Sequence, residues 1–166
     1  VFSNSDITFD GDYPVIAGNG QLTLSAGNMT SFVYLEKHAA DGSLMWMKRY
    51  ELPMEVEDVV AVAHTYYVFG RMAVSNQWGM FKTDENGNLL IAKELTATLP
   101  YTRSGDNGTR QNLMLPQPSG LLMLDYTWEE GDNRDILLVR TDFDFRLDDS
   151  CSLFKNLTVS SQNLSA

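Results

Sequence analysis

Apolar and polar residues alternate in short runs along most of this chain, and clusters of Gly, Asn and Asp separate the runs. The clearest stretch is Trp78 to Leu95. Trp78, Met80 and Phe81 lead into Thr83-Asp84-Glu85-Asn86-Gly87-Asn88, and Leu89, Leu90, Ile91, Ala92 and Leu95 lead out. Turn residues between two strand-like runs predict a β-hairpin. Ser31 to Leu52 has the same order of parts, with Asp41-Gly42 at the turn and Leu44, Trp46 and Tyr50 beyond it. Asp135 to Phe154 repeats it, with Thr141-Asp142 matching Thr83-Asp84. The chain reads as three copies of one unit.

Each unit divides into four expected strands. In the first they run Val15 to Ala17, Gln21 to Ser25, Phe32 to Lys37 and Leu44 to Tyr50. Gly18-Asn19-Gly20 and Gly27-Asn28 are the breaks, because Gly and Asn tolerate the positive φ of tight turns. The second unit has Asp58 to Ala63, Tyr66 to Ala73, Gly79 to Thr83 and Asn88 to Leu95. The third follows a polar insertion, Thr102 to Gln111, with Leu113 to Leu115, Leu121 to Thr127, Ile136 to Thr141 and Arg146 to Phe154. β-Branched and aromatic residues such as Tyr66-Tyr67-Val68-Phe69 fit a pleated surface, and no helical stripe competes. The expected fold is all-β, in one domain, with about twelve strands in three four-stranded antiparallel meanders of propeller-blade type. The units cover residues 14–53, 57–96 and 110–155, with terminal strands within 1–10 and 156–166. The alternative is a β-sandwich in which Trp46 and Trp78 share one core.

Ala40-Asp41-Gly42-Ser43-Leu44-Met45-Trp46 resembles the turn-and-tryptophan element of pyrroloquinoline-quinone-type propeller repeats. Thr83-Asp84-Glu85-Asn86-Gly87-Asn88-Leu89 is similar to the equivalent turn of secreted bacterial propeller proteins. The resemblance covers the second half of each unit and implies blade architecture, with such Trp residues docking one blade on the next. Two positions depart from it: Ile91 stands where the Trp of the second unit would be, and Phe145 replaces the turn Gly of the third. The quinone-binding residues have no counterpart, so no cofactor is expected.

Composition narrows the partners. A length of 166 residues with 43% hydrophobic content is enough for a substantial core. The net charge of −10, with Lys and Arg scattered, argues against nucleic acid. No apolar run reaches the roughly eighteen residues of a membrane span. The single cysteine, Cys151, is either a buried small apolar residue or an intermolecular partner. The chain starts at Val1 without a signal segment, which fits a processed mature protein or part of a longer one.

Candidate chemistry is sparse. Asn28, Asn107, Asn156 and Asn163 each open an N-glycosylation sequon, placed at a turn, a long loop and the tail, and they favour an extracellular or cell-surface location. His38 and His64 are the only histidines and read as exposed turn residues, not zinc ligands. Asp10 to Asp12 and Asp142 to Asp144 could each offer calcium two carboxylates, but no complete calcium loop is present. No serine-hydrolase, dinucleotide or phosphate-loop pattern occurs. Trp128, beside Glu129 and Glu130 in an acidic hairpin with Asp132 and Asp135, is the one aromatic expected to be free to stack on a sugar. The expected function is a non-enzymatic structural or adhesive module that assembles with copies of itself. The orphan terminal strands suggest filament growth by strand donation. The alternative is a carbohydrate-binding or carbohydrate-processing domain using Trp128.

Overall fold

The computed structural model describes residues 2–23, 29–75, 77–96, 113–128, 134–147 and 154–164. All regular elements among them are strands. The first sheet contains β1 (Phe2–Asp10), β2 (Tyr13–Thr23), β3 (Met29–His38) and β4 (Leu44–Tyr50). The middle sheet contains β5 (Met54–Val62), β6 (Thr65–Met72), β7 (Trp78–Thr83) and β8 (Leu89–Leu95). The third contains β9 (Leu113–Gln117), β10 (Gly120–Trp128) and β11 (Arg134–Thr141). Two short strands close the chain, β12 (Phe154–Asn156) and β13 (Ser161–Asn163). All pairings are antiparallel, in the orders β1-β2-β3-β4-β13, β12-β8-β7-β6-β5 and β11-β10-β9.

The strand period of two explains how these sheets stack. Along β6, Tyr66 and Val68 face one way and Tyr67 and Phe69 the other. The first pair joins Val15, Val33, Leu35, Tyr50, Val59 and Phe81 in a core between the first and middle sheets. The second pair joins Trp78, Met80, Met114, Leu121, Met123 and Phe145 in a core between the middle and third sheets. The middle sheet is therefore covered on both faces. That is why β6 and β7 are buried almost throughout. Trp46 packs on the first core and Trp78 lies within the second, so the single core shared by the two, expected of the sandwich alternative, is not present. The first strands gather, β1 against β5 and β5 against β9.

One turn geometry recurs in all three sheets. The N–H of Ala39, Asp84 and Asp142 donates to the carbonyl four residues on, at Ser43, Asn88 and Arg146, while Gly42, Gly87 and Phe145 donate back to the first residue of each turn. The donating-back residue has a left-handed φ of 84°, 71° and 55° respectively. Phe145 thus keeps the backbone of the glycine it replaces.

Four expectations need correction. Among the described residues the sheets have five, five and three strands, not four each. Ile7 and Phe9 do not form a lone strand: β1 is the first strand of the first sheet. Gly18-Asn19-Gly20 is no break, because β2 runs through it with Gly20 beneath the Phe32 ring, where a Cβ would sit 2.2 Å from the ring. The glycine serves close approach there, not a turn. Of the fourth strand expected from Arg146 to Phe154, residues 148–153 lie outside the described residues, Arg146 and Leu147 are not in a strand, and Phe154 pairs with Leu95 of the middle sheet. Among the described residues no barrel or propeller ring closes.

Candidate functional site

The C-terminal segment is the least expected part of the molecule. Phe154, Lys155 and Asn156 pair with Leu95, Glu94 and Lys93 at the edge of the middle sheet. The Leu157 N–H then donates to the Ala92 carbonyl at 2.8 Å, and Leu157 and Val159 pack on the first core. Beyond this crossing, Ser161, Gln162 and Asn163 pair with Tyr50, Arg49 and Lys48 at the edge of the first sheet. The Glu51 N–H donates to Ser160 and the Leu164 N–H to Met47, each at 2.9 Å. One strap thus finishes two sheets. Side chains add little: Lys155 pairs with Glu94 at 3.1 Å, and Arg49 donates to Gln162 at 3.1 Å.

Beside the strap lies an open groove of about 680 Å³. Its floor is Leu89 to Lys93, one wall is Asp144 and Arg146 of the third turn, and the other is Asn156 to Val159. The strap covers β8 only from Ala92 onward, so Leu89 to Ile91 have no strand on that side among the described residues. Lys82 is held by Asp144 at 2.5 Å, and that pairing holds the Asp144 carboxyl below its ordinary value. Among the described residues Lys93 donates only a 3.3 Å bond, to the Phe145 carbonyl. Partial burial, and then the neighbouring Arg146 charge, push the Lys93 ammonium below its ordinary value.

Two buried polar groupings lie in the seams. In the first, Asp10 receives Lys37 at 3.0 Å, the Tyr66 hydroxyl at 2.9 Å and the His64 ring at 2.8 Å, while Lys37 also donates to the Tyr66 oxygen at 2.6 Å. Burial opposes ionisation of both partners, but these bonds outweigh it, so Asp10 titrates low and Lys37 high. Burial pushes Tyr66 up to about 12. All the groups are committed to one another, and neither Lys37 nor Tyr66 is a base near neutral pH.

The second grouping sits where the three first strands meet. Strands β1 and β5 each carry a register shift just before an aspartate, at Asn4/Asp6 and Val56/Asp58. Asp6 accepts the Val59 N–H at 3.0 Å, and Asp58 accepts the Met114 N–H of β9. Each aspartate therefore captures a backbone donor of the next sheet. Burial and then a hydrogen bond with Asp6 raise the Asp58 carboxyl to about 7.

Of the residues singled out from sequence, Asn156 lines the groove in β12 and Asn163 lies in β13, both exposed. Asn28, Asn107, Glu129, Glu130, Asp132 and Cys151 lie outside the described residues. Trp128 is described only in its backbone, opposite Arg134, and its side chain and that of Asp135 lie outside the description. His64 is an exposed turn residue, whereas His38 is half-buried between Glu36 and the Gly42 carbonyl. Of the two Asp pairs considered for calcium, Asp142 accepts the Asp144 and Arg146 backbone N–H groups, Asp144 pairs with Lys82 and Asp10 with Lys37, while Asp12 is exposed in the turn between β1 and β2. Alternation alone could not single out Asp6, Asp58, Lys93 or Arg146. No protein-family model, curated protein or solved structure matches the chain.

Proposed function

We propose that this protein is a non-enzymatic structural module of the extracellular or cell-surface type, which links to copies of itself by exchanging its C-terminal strap. The observation carrying this reading is that Phe154 to Leu164 complete two sheet edges mainly through backbone bonds, which an identical strap from another copy would reproduce. Blade-type stacking is part of the reading, since β1, β5 and β9 are each the first strand of their sheet and lie together. Exposed Ile7, Phe9 and Met45 on the first sheet and Leu115 and Leu138 on the third supply apolar surface for a neighbour. Tethering gives the strap an effective concentration of about millimolar order on its own sheets, so exchange is favoured where copies are crowded, as on a surface.

Light scattering over a range of concentrations tests this. The full chain is expected to gain mass with concentration, a chain lacking Phe154 to Ala166 to stay monomeric, and an added peptide of those residues to bind the shortened chain and block growth. Assembly of the shortened chain equal to that of the full one, or a full chain monomeric throughout, overturns the proposal.

A further inference from the structure

We infer that the groove along β8 is a binding site for a short extended peptide carrying an acidic group at one end and aliphatic residues behind it. Charge is the first argument. In a chain of net charge −10, the cations Lys93 and Arg146 line one trough while the nearby Lys82 is already matched by Asp144. The Arg146 side chain is exposed and makes no hydrogen bond or ion pair with any described residue. Asp142, the other carboxylate near Lys93, has an oxygen occupied by two backbone donors. An arriving carboxylate would relieve the crowding of Lys93 against Arg146 and gain charge-assisted hydrogen bonds.

Shape is the second argument. About 680 Å³ suits a ligand of a few residues. The floor is five residues of strand, and Leu89, Leu90, Leu157 and Val159 supply apolar surface to the groove. Leu90 lies at the register shift between β8 and β7 and is half exposed, at 52%. A trough open along its length leaves an acyl chain wet on one side, whereas an extended peptide can keep its own amides in water there. Asn156 to Val159 line the groove, so a strap, the chain's own or a neighbour's, must be seated on β8 for the site to be complete.

The test uses the full chain at a concentration where it is monomeric. An N-acetylated tetrapeptide Val-Leu-Val-Asp with a free C-terminus is titrated by calorimetry against its Val-Leu-Val-Lys amide. The acidic peptide is expected to bind with Kd below about 1 mM, and the basic one at least about tenfold more weakly. Arg146→Gln is expected to weaken the acidic peptide about tenfold, while Arg140→Gln on the third sheet leaves it unchanged. Raising the salt concentration weakens binding to the unmodified protein, a readout that needs no variant. Equal binding of the two peptides, no saturable binding, an unaffected Arg146→Gln protein, or octanoate binding as tightly as the peptide would each overturn the assignment.

Discussion

The two seams of the molecule solve one docking problem with different chemistry. In both, a turn of one sheet is pressed onto the fourth strand of the sheet before it. At the first seam, Gly87 lies under the Trp46 ring, its carbonyl takes the Tyr50 hydroxyl at 2.7 Å, and Lys48 reaches Asn88 at 2.6 Å. At the second, the carbonyl of the corresponding Phe145 takes Lys93 from β8, and the Phe145 ring itself lies edge-on to Tyr67 at 5.9 Å. The preceding sheet fills the space in one case, and the turn fills it in the other. Ile91 stands where the second Trp would be, so the aromatic has moved from the strand to the turn. This teaches that a left-handed position can keep a bulky side chain when the ring is buried deeply enough to offset the backbone cost.

The sharpest way to break this comparison is Phe145→Gly. It restores the turn glycine and relieves about 1 kcal/mol of backbone cost, but it empties a fully buried ring site worth about 3–5 kcal/mol. The expected net loss is about 2–4 kcal/mol in urea unfolding. A neutral or stabilising result would mean that the ring does not offset the strain.

A second test acts where the seams meet. Asp58 has a folded-state pKa above its unfolded value, so its contribution to stability is fully present below the ordinary carboxylate range and is lost as pH rises through about 7. From pH 5 to 8 the loss should be about 2–3 kcal/mol. His38, also shifted upward against burial by Gly42 and Glu36, loses stability in the same direction. Asp58→Asn separates the two, because its amide can donate to Asp6 and accept from Met114 at any pH. Thermal unfolding should show a flatter pH profile for this variant, and a profile as steep as the parent's would remove Asp58 as the cause.

The smallest effect compares two glycines. Gly42→Ala meets only its φ of 84°, with nothing within 4 Å, whereas Gly87→Ala also places a Cβ 2.9 Å from the Trp46 ring. Gly87→Ala should be the more destabilising by about 1 kcal/mol in urea unfolding. Equal losses would show that the Trp46 contact costs nothing to displace.

The middle sheet was legible in the sequence because each of its strands is bounded by turn residues that really turn: Ala63-His64, Ser75 and Asp84 to Asn88. Gly18 to Gly20 misled because the same residue types also allow close approach. Asn19 there is a bridge, donating from its amide to the Met54 carbonyl and accepting the Val56 N–H at 2.9 Å. The strap was legible only as alternation in Leu157 and Val159, since its partners lie far back in the chain. The candidate groove could not be read at all. Its floor, wall and cover come from three separated segments, and its charge balance depends on which lysine Asp144 chooses.

The strap also imposes an order in time. Its contacts with β4 join residues 113 positions apart, as between Arg49 and Gln162. On the ribosome, β4 and β8 emerge long before their last partners, leaving two sheets with bare edges through the synthesis of the whole third sheet. The strands that seal the first two sheets are thus made only after all three strands of the third. Until they arrive, those two edges keep unpaired backbone groups that any extended strand could meet.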